Sequence, residues 1–145
     1  MKKFIWSCAL LLSVALPALA DHYRSIERKA LPRAAKEFLE RHFDADQISY
    51  VATDRALFDR NYKVLFADGA TIEFDKHGAW IEIDTPRGAL PSAVVPAKML
   101  DAVESRFEGS PIRKIERNRR GYEVELGNGI ELTFDQQYRL VDVDD

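Results

Sequence analysis

One phrase of alternating apolar and polar residues occurs twice in this chain. Tyr122-Glu123-Val124-Glu125-Leu126 and Ile130-Glu131-Leu132-Thr133-Phe134-Asp135 flank a Gly127-Asn128-Gly129 turn. Sixty positions earlier, Tyr62-Lys63-Val64-Leu65-Phe66 and Ala70-Thr71-Ile72-Glu73-Phe74-Asp75 flank Asp68-Gly69. A period of two marks a strand with one dry and one wet face. Gly, Asn and Asp supply the positive φ that a tight hairpin turn demands. The sequence therefore predicts two equivalent antiparallel hairpins, and the hairpins predict a duplicated unit.

The duplication extends upstream. Leu31-Pro32, Phe43 and Ile48 recur 64 positions later as Val95-Pro96, Phe107 and Ile112. The offset falls to 60 by Tyr122, which places a longer loop at Asp54–Asn61 of the first unit. Pro at a helix start costs no hydrogen bond. Helices are expected over Arg33–Phe43, with Ala35, Phe38 and Leu39 on one stripe, and over Ala97–Phe107, with Met99, Leu100 and Val103. Strands are expected at Ile48–Thr53, Tyr62–Phe66, Ala70–Asp75, Ala79–Asp84 and Ile112–Arg117, then in the second hairpin and at Tyr138–Val143. The expected class is α+β: a tandem repeat of one helix plus four antiparallel strands. The two repeats form one sheet of about eight strands, with both helices on one face.

The first twenty residues read differently. Lys2 and Lys3 precede an apolar run from Phe4 to Leu16, Pro17 breaks it, and Ala18-Leu19-Ala20 has the small-x-small form of a cleavage site. This is the pattern of a secretory signal peptide, too short for a spanning helix; an N-terminal membrane anchor is the alternative. The expected layout is a signal peptide at 1–20, a loose lead-in at 21–30 and a first repeat at 31–84. A linker at 85–94, rich in Pro and Gly, then precedes a second repeat at 95–145. Cleavage would remove the only cysteine, Cys8, so an exported mature chain would rely on its core rather than on disulfides. It would also leave 19 basic against 24 acidic residues, a net charge of −5. That balance argues against a general polyanion binder and so against nucleic acid. The expected localisation is periplasmic or secreted, without membrane insertion of the mature chain.

Parity assigns faces. Tyr62, Val64, Phe66, Ile72 and Phe74, their counterparts from Tyr122 to Phe134, and Ile81, Ile83, Val141 and Val143 are expected under the helices. Burying each such side chain contributes roughly 1.5–3 kcal/mol. The opposite face is expected to be uncovered. It would carry Lys63, Leu65, Glu73, Trp80 and Glu82 from the first unit, and Glu123, Glu125, Glu131 and Leu140 from the second. Those residues form the candidate binding surface, with Trp80 as its aromatic anchor. The alternative is an antiparallel sheet with one face simply wet.

Catalytic chemistry has little to stand on. His22, His42 and His77 share no spacing, and no His-Glu-x-x-His is present. None of Ser25, Ser49, Ser92, Ser105 and Ser110 has a Gly-x-Ser-x-Gly setting. No glycine-rich phosphate loop occurs. Asp142, Asp144 and Asp145 cluster at the C-terminus and Asp44 with Asp46 after the first helix, but neither has the calcium-loop pattern. Asp75 and Asp135 recur at the end of the same hairpin strand, where an Asp most simply caps the following turn. The chain is expected to be neither an enzyme nor a cofactor or metal protein.

Together these features resemble the PepSY-like proteins whose fold is similar to that of beta-lactamase inhibitor protein. The resemblance spans about Leu31–Asp144, and Gly69-Ala70-Thr71-Ile72-Glu73-Phe74-Asp75-Lys76-His77-Gly78-Ala79-Trp80 is its most characteristic phrase. It implies an exported α+β protein. In the inhibitor the concave sheet face grips an enzyme, and the PepSY name implies regulation of exported peptidases. The expected function is an exported, non-enzymatic binding module. It would take a protein partner, an exported hydrolase or peptidase, through the open sheet face. The alternative is a small-ligand- or metal-responsive periplasmic envelope protein.

Overall fold

The computed structural model of the chain describes residues 23–54 and 59–145. The expected signal peptide lies outside these residues, as do Leu57 and Phe58 of the longer loop. The elements run β1 (Tyr23–Ser25), α1 (Arg33–His42), β2 (Ile48–Asp54), β3 (Tyr62–Phe66), β4 (Thr71–Phe74) and β5 (Trp80–Asp84). They continue with α2 (Ala97–Arg106), β6 (Ile112–Arg117), β7 (Gly121–Leu126), β8 (Glu131–Asp135) and β9 (Leu140–Asp144). Among the described residues nine strands form one antiparallel meander in chain order. β5 pairs with β6 through Glu82↔Glu116, Ile83↔Ile115 and Asp84↔Lys114, so the sheet passes unbroken from the first half to the second.

The ninth strand is a correction. The polar lead-in is not loose: Tyr23–Ser25 pairs with β2 along Asp54–Ala52, and the Ile26 N–H donates to Val51 O at 3.0 Å. β2 would otherwise leave a row of unpaired backbone groups at the sheet edge, and three residues suffice to cover it. The linker is also pinned. Thr85 Oγ1 donates to Arg113 O at 2.7 Å, the Leu90 N–H donates to Ile112 O at 2.8 Å, and Leu90 and Val94 are buried.

Both helices open behind a proline, with Pro32 and Pro96 in the N-cap position. Both close on a phenylalanine whose N–H returns to the last turn: Phe43 to Leu39 O and Phe107 to Val103 O. Ala35 and Leu39 of α1 and Met99 and Val103 of α2 are buried against the sheet. Beneath them lie Val64, Ile72, Phe74, Ile83, Val124 and Phe134, the aromatic pair fully inaccessible to solvent. Phe38 meets Phe74 edge-on at 5.8 Å, a favoured aromatic geometry. The recurring Asp residues cap turns. Asp75 Oδ1 accepts from His77 N and Ala79 N, and Asp135 Oδ1 accepts from Gln137 N and Arg139 N.

Period-two parity breaks in four places. The register shifts between Ile48 and Tyr50, between Glu73 and Phe74, between Ile112 and Lys114, and between Thr133 and Phe134. An extra residue in one strand re-aims everything beyond it. Phe74 therefore faces Trp80 and Phe134 faces Leu140, with Ile81 and Val141 as the inserted residues. Trp80 and Leu140 pack against the buried core on the helix side, whereas Val141 is 58% exposed. Val143, expected under the helices, is 46% exposed on the terminal strand. The expected placement of Trp80 and Leu140 on the uncovered face is thus corrected: one inserted residue per strand turns each of them over.

Candidate functional site

The face away from the helices is built from two rows of side chains running across the strands. One row is Lys63–Glu73–Glu82–Glu116–Glu123–Thr133–Asp142, each directly opposite the next. The other is Tyr50–Leu65–Thr71–Asp84–Lys114–Glu125–Glu131–Asp144. Of the expected surface residues, Lys63, Leu65, Glu73, Glu82, Glu123, Glu125 and Glu131 lie in these rows. The apolar spot on this face is Leu65 beside the exposed Tyr50, not Trp80.

Sequence reasoning missed Arg113. The shift between Ile112 and Lys114 turns its guanidinium onto the same face, where it bonds Glu125 and reaches Asp84 at 3.3 Å. The legible signal was the spacing of Ile112 and Ile115, both buried although three apart in one strand. Lys114 pairs with Glu82 at 3.1 Å and Lys63 with Glu73 at 2.9 Å. Burial alone would lower the Lys63 and Lys114 ammonium groups, but bonding to Glu73 and Glu82 outweighs it, and both titrate above the ordinary lysine value.

Beyond the pairs made by Arg113 and Lys114 the compensation ends. Among the described residues, Glu116, Glu131, Asp142 and Asp144 form no ion pair, and Glu123 receives only the Asn118 amide at 2.9 Å. Glu116 stands between Glu82 and Glu123. Partial burial first, then these two neighbours, hold its carboxyl above the usual range. Like charges directly opposite destabilise a sheet, so folding does not account for this row. Glu116, Glu123, Glu125 and Glu131 line a depression of about 120 Å³ with Lys114 and Thr133. Among the described residues no set of three or more His, Cys, Asp or Glu converges as a metal site, and none of the serines or histidines enters the depression.

Trp80 occupies a different surface. It lies on the helix side between Phe38 of α1 and Tyr122, with the Arg117 guanidinium 5.3 Å from its ring centre. Trp80→Ala is therefore expected to lower stability by about 2 kcal/mol, less than the ~3–5 kcal/mol of a fully buried aromatic. A lower denaturant midpoint is the readout; an unchanged midpoint would place the ring outside the packing.

The architecture has close relatives among solved structures. A protein of the DUF2874 family from Bacteroides vulgatus, provisionally described as periplasmic, superimposes with a TM-score of 0.82 at 36% identity, over 87% of this chain and 99% of the other. One from Bacteroides thetaiotaomicron, with the provisional description of a calcium-regulated periplasmic protein, gives 0.82 at 33% identity over the same shares. A third, from Bacteroides vulgatus and provisionally described as a periplasmic protein of unknown function, gives 0.78 at 34% identity over 85% and 99%. These neighbours agree with the expected periplasmic or secreted localisation, and no helix among the described residues is long and apolar enough to cross a membrane. Among curated proteins none matches. The family model for PepSY-like, beta-lactamase-inhibitor-like proteins matches residues 60–142, more than half of the chain, and the chain belongs to that family.

Proposed function

We propose that this protein is an exported, non-enzymatic binding module whose uncovered sheet face takes a basic surface of a protein partner, an exported hydrolase or peptidase. One observation carries the reading: Glu116 and Glu123 stand directly opposite each other with no ion pair among the described residues, and beside Glu82, whose charge Lys114 already meets, despite the cost of like charges opposite one another. A partner's Lys or Arg side chains would supply the missing cations. Strand spacing of about 4.8 Å presents the carboxylates at intervals that a row of basic side chains can follow. Rim charges of this kind mainly accelerate encounter and set specificity.

Glu116→Gln separates binding from folding. The raised Glu116 value means that its charge opposes folding. The penalty is absent below the unfolded carboxyl value of 4.5 and fully present once pH has risen through the raised folded value. Glu116→Gln is therefore expected to raise the melting temperature at pH 7, by a gain that vanishes near pH 4, and to weaken partner binding. Thermal unfolding at both pH values checks the first part. For the second, a partner captured from the envelope fraction and identified by mass is bound again to the purified protein. Glu123→Lys combined with Glu131→Lys should slow its association several-fold and flatten its salt dependence. A partner that binds this double variant as fast as the parent would remove the reading.

A second reading rests on the calcium-regulated description of the Bacteroides thetaiotaomicron neighbour together with the uncompensated carboxylates of β6–β8. It predicts a melting temperature raised by millimolar calcium but not by equal magnesium, and a gain abolished by Glu116→Gln.

A further inference from the structure

The cleft beside α1 is a second surface, opposite the acidic face, with its own chemistry. It is lined by Ala34, Glu37, Phe38 and Arg41 of α1 together with Trp80 and Arg117. Tyr122 continues the ring row at 6.3 Å from Trp80, and Tyr138 stands 5.3 Å beyond it. Burial, and then a bond to the Tyr138 hydroxyl, push the Tyr122 phenol up. Trp, Tyr and Arg are the residue types that dominate binding hot spots; Trp80, Tyr122, Tyr138 and Arg117 are half-buried and Arg41 is exposed.

Two further observations bear on function. Tyr138 is the one non-glycine among the described residues with positive φ, at 61°. At the matching turn sixty residues earlier stands Gly78, with φ 84°. A bulky side chain in that conformation is strained, and such strain collects at functional positions. The Tyr138 ring that the strained backbone presents ends the aromatic row. The second observation is charge. Arg41 and Arg117 have no carboxylate within ion-pair reach among the described residues. Glu37, on the same rim, is already bonded to Arg33 at 2.7 Å. Stacking on Trp80 leaves the N–H edge of Arg117 free, and a guanidinium edge fits a carboxylate bidentately.

We infer that this cleft is a docking site for an acidic peptide segment, with an aromatic side chain on Trp80 and flanking carboxylates on Arg117 and Arg41. The cleft volume of about 250 Å³ lies below the ~300–1,000 Å³ of small-molecule sites. It therefore receives one side chain of a larger partner rather than a whole cofactor. Its positive rim excludes the basic surface assigned to the opposite face, so the two sites stand or fall separately.

The test uses the full chain carrying Trp6→Phe, which leaves Trp80 as the only tryptophan. A capped hexapeptide of alternating Asp and Phe is titrated while Trp80 emission is followed, with Asp/Ala and Lys/Phe hexapeptides as controls. The expected result is a saturable emission change with the Asp/Phe peptide, at least about tenfold tighter than either control. Arg117→Gln and Arg41→Gln should each weaken it several-fold; Arg41 is exposed, so its replacement leaves the fold intact. The proposal is overturned by the absence of a saturable change, by equal affinity for the Asp/Ala or Lys/Phe peptide, or by parental affinity in both arginine variants.

Discussion

Phe134→Ala is expected to lower stability by about 3–5 kcal/mol, a fall in melting temperature on the order of 10–20 °C for a domain of this size. The ring is fully inaccessible to solvent and belongs to the core cluster that also holds Met99 and Val103 of α2. Its neighbours cannot close the gap: Tyr122 and Leu140 flank it on adjacent strands, and their backbones are held in the ladder. A cavity therefore remains, and its lining loses both transfer free energy and dispersion contacts. Phe74 is equally inaccessible and meets Phe38 edge-on, so Phe74→Ala should lose a similar amount. Denaturant unfolding at constant m-value is the measurement. A loss below about 1 kcal/mol at either position would mean that the helices relax onto the sheet and that the core is softer than its burial implies.

The same rings show how much of this fold was legible. Strict alternation located β3, β4, β7 and β8 to within a residue and placed Val64, Ile72, Phe74, Val124, Leu132 and Phe134 under the helices, where they lie. It failed at Trp80 and Leu140 for one reason: alternation fixes side-chain direction only while the register is regular. The exception was written in the chain, because inward apolar residues stand three apart in three of the irregular strands. Ile48 and Val51, Trp80 and Ile83, and Ile112 and Ile115 show it. Three is an odd spacing, so both members share a face only if a residue is inserted between them. β1 was not legible, since Tyr-Arg-Ser carries no alternation and pairs because the edge of β2 is vacant.

The acidic face was legible in composition but not in its arrangement. Glu73, Glu82, Glu123, Glu125 and Glu131 follow from parity. Which of them are neutralised does not, because the pairing depends on strand register and on the turned Arg113. The ion pairs cover β3 to β7 and leave Glu116, Glu123 and Glu131 uncompensated. That asymmetry, rather than the total of acidic residues, distinguishes a candidate docking centre from a merely solvated face.

Gly121→Ala is expected to cost about 3 kcal/mol or more, although a methyl group is the smallest possible addition. Gly121 reads from the sequence as one more turn glycine after Asn118. In the structure it is the first residue of β7, directly opposite Asp135, with φ 147°. An L side chain rarely adopts that conformation, at a cost of roughly 1–3 kcal/mol. A Cβ there would also lie 2.0 Å from Phe134 O and 2.7 Å from Asp135 C. These are backbone atoms of the adjoining strand, so no rotamer change relieves the overlap. β8 would have to move, yet Tyr122↔Phe134 and Val124↔Leu132 hold it in register above the core. The turn would suffer as well, because Asn118 Oδ1 accepts from Gly121 N at 3.1 Å and Asn118 N donates to Gly121 O at 2.9 Å. Gly88→Ala is the control: nothing lies within 4 Å of its Cβ and its φ is not in the positive range, so the change should stay within about 0.5 kcal/mol. Equilibrium unfolding of the two variants side by side reads the difference, and equal midpoints would show that β7 and β8 do not approach each other as closely as this structure places them.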